Sequence, residues 1–301
     1  MNDTIHIVLG PTASGKSALA IDMARDMNGV IINSDAMQSY DCLHVLTAQP
    51  DAEEQSGAPH KLYGHVPPSH DFTVIEWREL AAKEIKAALD KGQQPIIVGG
   101  TGFYIKALTE GFSPLPEIDD SYRHNAQTLF QESGAENFHA LLKEIDPVMA
   151  ERLPSGDTHR MIRAYEIMDA TGKSLAEWQR EPLSGPPCAD WNFQFHAILP
   201  DKEAHIAKIN SRIEHMLENG ALDEVDALSQ RIQSGEVPEQ ALVIKAHGFR
   251  PLRAYLREEQ SLEEAFEHTA IETRQYAKRQ RTWIRNQIPQ EQLTIHTSAK
   301  Q

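Results

Sequence analysis

Eight residues near the start of the chain, Gly10-Pro11-Thr12-Ala13-Ser14-Gly15-Lys16-Ser17, have types and spacing suited to holding phosphate groups. They fit the pattern G-x-x-x-x-G-K-[ST] between a strand-like run and a helix-like one. The glycines let backbone N–H groups turn inward around an oxyanion. The helix that follows presents the positive end of its dipole. Lys16 offers a point charge, and the Ser17 hydroxyl is the candidate ligand for Mg²⁺. Two further segments join this site if the strands are parallel. Val30–Ile32 runs through Asn33-Ser34 into Asp35, and Pro95–Val98 runs into Gly99-Gly100-Thr101-Gly102. In a parallel sheet all three segments end on one rim, so Asp35 and Thr101 are candidates to face whatever the loop holds. Other roles stay open: Asp35 as a helix cap or a partner to a metal ligand, Thr101 as the N-cap of a helix near Phe103. The strand at 96–98 does not end in the acid that ATP-dependent phosphoryl transfer often needs.

A second chemistry is written near the C-terminal end. Thr273–Arg285 holds five basic residues and no acid. On a helix, Arg274, Lys278, Arg281 and Arg285 share one face. Such a face suits a phosphate backbone, although a solvated helix face has the same appearance. Tyr276 and Trp283, seven apart, read as core packing. A smaller cluster, His159, Arg160 and Arg163, follows Asp157, a candidate helix cap.

The elements needed to position these groups are legible in outline. Ile5–Leu9, Val30–Ile32 and Pro95–Val98 are fully apolar strand candidates. Between them lie helix patterns at Ser17–Met27 and, from a capping box at Thr73/Glu76, a helix ended by Gly92. Apolar strands alternating with helices predict a parallel sheet covered on both faces. From Asp119 to about Arg180 only helical periodicity occurs, interrupted by Gly134, Pro147 and Pro154. Ser174 with Glu177 caps its last helix. Strand alternation resumes at Phe193–Leu199. Glu203–Asn219 then reads as an amphipathic helix closed by Gly220, and Ser261–Arg285 as mostly helix. The expected division is a first core part at 1–117, an inserted helical domain at 118–190, and a second core part at 191–301.

The chain has 301 residues, 29 basic and 44 acidic, a net charge of −15 that disfavours a non-specific nucleic-acid binder while leaving room for a local basic surface. No apolar run approaches the ~20 residues of a membrane span. Met1-Asn2-Asp3 carries no basic leader, and Cys42 and Cys188 cannot build a disulfide framework, so a cytoplasmic protein is expected. There is no HExxH, no zinc-site spacing and no G-x-S-x-G elbow.

Taken in order, these segments resemble the tRNA dimethylallyltransferases, also called tRNA isopentenyltransferases. The resemblance rests on Gly10–Ser17, Ile32–Tyr40, His60-Lys61-Leu62-Tyr63-Gly64-His65, Gly99–Tyr104, Asp157–Gly172, Arg212–Val225 and Thr273–Arg285, and covers nearly the whole chain. It implies a P-loop NTPase-like parallel α/β core with an inserted all-helical domain. It implies transfer of a dimethylallyl group from dimethylallyl diphosphate to N6 of adenine 37, in tRNAs reading codons that begin with U. The loop would then hold a diphosphate leaving group. Mg²⁺ is the implied cofactor, the anticodon stem-loop the implied partner, and a monomer without membrane attachment the expected state.

The resemblance also assigns roles. Thr12, Lys16 and Arg212 would stabilise the departing diphosphate, and Asp35 would take the amine proton. Asp35, Ala36, Met37 and Gln38 would surround the base, with Thr101 and Arg123 nearby. His159, Arg160, Met161, Ile162 and Arg163, with Arg274, Lys278 and Arg281, would meet tRNA. Leu46-Thr47-Ala48-Gln49-Pro50 departs from the family's usual Gly-Thr-Ala-Lys-Pro and loses a positive charge. Lys245–Arg250 matches only loosely the family's glycine-tyrosine turn. A nucleotide or nucleoside kinase using ATP is the alternative use of the same loop. A free-AMP acceptor is disfavoured by the helical block and basic stripe.

Overall fold

Ile5, Ile7 and Leu9 pack to one side of the first strand and Val8 to the other, so this strand is covered on both faces. The strands Gly29–Asn33 and Gln94–Gly99 are covered in the same way, and the computed structural model, which describes residues 3–296, shows why. In chain order the first elements are β1 (Thr4–Leu9), α1 (Lys16–Met27), β2 (Gly29–Asn33), α2 (His44–Thr47), α3 (Ala52–Gly57), β3 (His60–Lys61), α4 (Val74–Asp90), β4 (Gln94–Gly99) and α5 (Gly102–Thr109). A run of helices follows: α6 (Asp120–Ile145), α7 (Pro147–Arg152), α8 (Thr158–Thr171) and α9 (Leu175–Trp178). The chain then returns through β5 (Asn192–Ile198), α10 (Lys202–Glu218), α11 (Ala221–Gln233), α12 (Phe249–Leu256), α13 (Leu262–Gln287) and β6 (Leu293–His296).

Among the described residues, six strands form one sheet in the order β3-β2-β4-β1-β5-β6, every pairing parallel. Ala20, Ile21 and Ala24 of α1 cover one face through Val8, Ile31, Ile96 and Val98. Trp77, Ala81 and Ile85 of α4, with residues of α5, α11 and α12, cover the other. The capping box expected at Thr73 and Glu76 is present in both directions. Gly220 does not close α10: Asn219 caps it, and Gly220, at φ 98°, begins α11.

Because the strands are parallel, β1, β2 and β4 deliver Gly10, Asp35 and Thr101 to one rim. There the backbones nearly touch. The Ser34 N–H donates to Val98 O at 2.8 Å, and a Cβ on Gly99 would overlap Ser34. At Gly102 a Cβ would overlap the Trp283 ring of α13. Gly102→Ala is therefore expected to displace Trp283 and cost about 1–3 kcal/mol. A urea midpoint unchanged from the parent would show that α13 does not need this contact.

The chain divides into two compact units: one formed by the chain through Thr109 and again from Pro187, the other by Glu110–Pro186. These limits fall earlier than 118 and 190 because the two connecting segments pair. The Ser184 N–H donates to Phe112 O at 2.9 Å, and the Phe112 N–H donates to Ser184 Oγ at 3.0 Å.

The helical unit has its own core of Phe138, Leu142, Met149, Leu153, Met161 and Ala164. Gly134, at φ 76°, breaks α6. Asp146 is buried and caps α7 through the Met149 N–H at 3.1 Å, while accepting from Ser174 Oγ at 2.7 Å. Asp157 precedes α8 without capping it, because its carboxylate pairs with Arg160 instead. Among the described residues no helix is long and apolar enough to cross a membrane.

Candidate active site

The loop from Gly10 to Ser17 is shaped by what cannot fit. A Cβ on Gly10 would overlap Ser14 Oγ, and Ala13 and Gly15 both take left-handed backbone, at φ 60° and 93°. Such turns let successive N–H groups converge. The Ser14 N–H is spent on Pro11 O at 3.1 Å, so the open first turn of α1 (Lys16 and Ser17) supplies the inward donors. Lys16 is only 8% exposed. Burial, opposed by Asp35 and reinforced by the nearby Arg212, lowers its pKa to about 8.

Thr12 is gripped on three sides. Its N–H donates to Gln280 Oε1 at 2.8 Å, and its carbonyl accepts from His205 Nε2 at 2.7 Å. Its hydroxyl accepts from Arg212 Nη1 at 3.0 Å. Gln280 also donates to Gly100 O at 3.1 Å, which ties the two glycine turns together. His205 Nδ1 faces Arg281 Nη2 at 3.3 Å. A carbonyl at one nitrogen and a guanidinium at the other require neutral imidazole with its proton on Nε2. Burial and the neighbouring Arg281 and Lys16 lower the His205 pKa accordingly.

Asp35 is set by the side chain of Asn33, the last residue of β2. Asn33 Oδ1 accepts the Asp35 N–H at 2.8 Å, and Asn33 Nδ2 donates to the carbonyls of Asp35 and Leu62, each at 2.9 Å. Asp35 Oδ1 accepts the Met37 N–H at 3.1 Å, so the carboxylate does serve as a local cap. Its other oxygen has no protein hydrogen bond among the described residues. Thr101 Oγ1 accepts the Ala36 N–H at 3.1 Å and so fixes the turn that follows Asp35. Arg212, on α10, also donates to Thr47 O at 3.3 Å. Burial depresses its pKa, against the opposing charge of Asp35.

Part of this set lines one cavity of about 230 Å³, which meets the phosphate loop at Thr12. Thr12, Asp35, Thr101 and Arg212 form its polar side. Leu46, Ile209, Ile213 and Met216 form an apolar wall. Tyr276 closes part of the polar side, and burial with the Asp35 charge raises its phenol pKa. A cavity with an anion-binding edge, a carboxylate and an apolar wall is built for a small ligand that is charged at one end and hydrocarbon at the other.

Comparison with known proteins decides the family. A family model described as "IPP transferase" matches residues 38–287, and one described as "Isopentenyl transferase" matches residues 3–63. The chain belongs to the tRNA isopentenyl (dimethylallyl) transferase family. The tRNA dimethylallyltransferase of Paramagnetospirillum magneticum is 45% identical over 283 residues, spanning 94% of this chain and 88% of that one. That of Rhizobium johnstonii is 44% identical over 292 residues, 96% of each. Among solved structures, the full-length tRNA isopentenylpyrophosphate transferase from Bacillus halodurans has a TM-score of 0.68 at 31% identity, covering 99% of this chain and 90% of that one. A eukaryotic dimethylallyltransferase acting on tRNA has a TM-score of 0.80 at 27% identity, covering 98% and 74%.

For a member of this transferase family, the basic residues are distributed differently from the single face expected. Arg281 turns inward, donating to Pro200 O at 2.8 Å and meeting His205. It therefore supports the Thr12 clamp, where the helical spacing predicts an outward stripe. Arg274 is paired with Glu267 at 2.5 Å. Lys278, Arg279 and Arg285 are exposed, and Lys278 and Arg279 border a groove with Trp283. In the helical unit His159, Arg160 and Arg163 are exposed, with Arg160 paired to Asp157 and Arg163 to Glu166. Met161 is 0% exposed in the unit's core, so its side chain is unavailable to RNA, and Ile162 is half-buried. Arg123 is exposed on α6, near enough to Glu166 to lower its pKa against the raising effect of burial.

Four residues of the candidate site escape sequence reasoning. His205 carries no motif. Gln280 sits unmarked inside the basic run. Tyr276 reads as core, and Thr47 contributes only its carbonyl. A polar residue on the otherwise apolar seam of α13, as Gln280 is at 4% exposure, is the one signal that could have been followed.

Proposed function

We infer that this protein transfers the dimethylallyl group of dimethylallyl diphosphate to N6 of adenine 37 in tRNA, releasing diphosphate. One observation carries the reading: the cavity joins a phosphate-binding edge, a carboxylate and an apolar wall within the length of one small ligand. In the transfer the C1–O bond of the donor breaks and a C1–N6 bond forms. The electron pair leaves on the diphosphate, and one N6 proton passes to Asp35. The first-turn N–H groups, Lys16 and Arg212 oppose the charge that develops on the diphosphate. Arg212 also holds Thr12, whose hydroxyl faces the same edge. The apolar wall excludes water from the allylic carbon, which limits hydrolysis. An adenine in a single-stranded loop can be turned out to reach such a site at modest cost. Ala36, Met37, Gln38 and Thr101 are the proposed surroundings of that base.

Ser17, exposed on the first turn of α1, fits a magnesium ion that arrives on the diphosphate. Mg²⁺ commonly binds through one or two protein oxygens together with substrate phosphates, and the Ser17 hydroxyl would be such an oxygen. When bound, the ion neutralises charge on the leaving group. The core is read as a P-loop NTPase-like sheet adapted to a diphosphate.

The exposed cations Lys278 and Arg279, together with His159 and Arg163, are the proposed contacts to the anticodon stem-loop, in tRNAs whose codons begin with U. Lys278→Glu with Arg279→Glu is expected to weaken tRNA binding and lower the salt slope by about two. Arg274→Glu should do much less, because Arg274 is paired with Glu267 and its side chain is more covered than that of Arg163, which stays accessible beside Glu166. A double variant with the parent slope would remove this face from the RNA contact.

The test of the reading is transfer itself. Labelled dimethylallyl diphosphate, Mg²⁺ and unmodified tRNA with an A36-A37-A38 run should place label on N6 of A37. ATP consumption with no label transferred would assign the loop to a kinase instead.

A further inference from the structure

A line of hydrogen bonds reaches the phosphate loop from a residue that lines no part of the cavity. Glu224 lies in the first turn of α11. Its two oxygens accept the Val45 N–H at 2.9 and 3.0 Å, and Oε2 also accepts the Leu46 N–H at 3.1 Å. Those donors belong to α2, a single four-residue turn with left-handed residues on both sides, Leu43 at φ 55° and Ala48 at φ 49°. Neither is glycine, so each end is held in a backbone conformation that L side chains disfavour. One isolated turn does not hold itself in water, let alone with strained ends.

The far end of α2 meets the catalytic groups. Thr47 O accepts from Arg212 Nη2 at 3.3 Å and from Gln38 Nε2 at 2.9 Å, and Ala48 O accepts from Gln38 Nε2 at 2.7 Å. Arg212 uses its other terminal nitrogen on Thr12 Oγ1 at 3.0 Å. Leu46, between the two ends, turns its side chain into the apolar wall. One strained turn thus fixes both the carbonyl that aims Arg212 and part of the hydrocarbon surface.

We propose that Glu224 is a positioning residue for the transfer: by pinning the Val45 and Leu46 N–H groups it holds α2 in its strained form, which in turn aims Arg212 at the diphosphate. The carboxylate is suited to this because it accepts from both neighbouring N–H groups at once, and a charged acceptor forms the stronger bond. The inference rests on the cavity being the dimethylallyl diphosphate site.

Glu224→Gln keeps the shape and puts an amide NH₂ against an N–H. It is expected to raise the Kd for inorganic pyrophosphate about tenfold and to lower kcat/KM for dimethylallyl diphosphate about tenfold, with tRNA Kd and Tm near the parent values. In an Arg212→Met background the same change should leave pyrophosphate affinity where Arg212→Met put it, because the path to the loop is already cut. Equal losses in the two backgrounds, an unchanged pyrophosphate Kd, or a loss matched by a fall in Tm would each overturn the proposal. If Glu224→Gln does not fold, Glu224→Asp, which keeps the charge and shortens the reach, enters the same cycle. Absence of transfer by the parent protein would instead undo the reading of the site, a failure that the pyrophosphate measurements keep separate.

Discussion

Asp35→Asn is expected to lower the rate of dimethylallyl transfer by about 10²–10⁴, the usual range for a lost general base, with tRNA affinity kept within about tenfold. Asparagine is the informative replacement, because its carbonyl oxygen can still accept the Met37 N–H that Asp35 Oδ1 accepts at 3.1 Å. The turn after β2 therefore survives and only the proton acceptor is lost. A second consequence follows from the charge. Asp35 is the group that raises the Lys16 pKa against burial and Arg212. Without it the Lys16 pKa falls below about 8, and pyrophosphate binding should begin to fail at lower pH than in the parent. Single-turnover transfer and pyrophosphate titrations between pH 6 and 9 would measure both effects. A variant with parental single-turnover rate would exclude Asp35 as the base.

Lys16→Met is expected to separate activity from stability. Removing one preorganised charge from the leaving group costs about 10²–10³ in rate. The same substitution should make the protein more stable at neutral pH. Burial brings Lys16 down to about 8 in the folded chain, from 10.5 for a solvated lysine. Between those values the unfolded chain holds the proton that the folded chain has released, so parental stability rises with pH across that window. Below pH 8 the buried charge is a penalty of roughly 3 kcal/mol. Methionine, of similar length and uncharged, escapes it. Urea midpoints at pH 7 and pH 10 should show the variant ahead at the lower pH and the gap closing at the higher one. A variant less stable at both would mean that Lys16 is stabilised by partners other than those that set its pKa. In the parent, pyrophosphate binding above pH 8 should take up a proton, because the ligand's charge restores the ammonium.

Much of this enzyme can be read from its residues because the physics involved is local. The loop at 10–17 needs left-handed backbone at Gly15 and a helix to follow, and both are properties of neighbouring residues. The capping boxes at Thr73/Glu76 and Ser174/Glu177 are likewise three-residue events, and both form as expected. Apolar strands read as buried because a parallel sheet is covered on both sides, and that parallelism alone puts Gly10, Asp35 and Thr101 on one rim. The succession of motifs also carried the family resemblance, which the relatives at 44–45% identity bear out.

What the sequence left open is what depends on partners far along the chain. Helical spacing places Arg281 with Arg274 and Lys278, but spacing cannot say that a carbonyl at Pro200 and an imidazole at His205 wait on the other side. Gln280 reaches Thr12 across 268 positions, and Arg212 reaches it across 200. Met161 lies within the basic patch in sequence, between Arg160 and Arg163, yet faces inward, because a helix sends adjacent residues to different sides. Glu224 resembles any surface acid until α11 is laid against the turn at Val45. Local conformation is set by neighbours, so sequence alone determined the loop, the rim and the order of elements. Side-chain partnership is set by packing, so only the tertiary structure decided which groups hold Thr12 and Arg212 and which basic residues stay exposed.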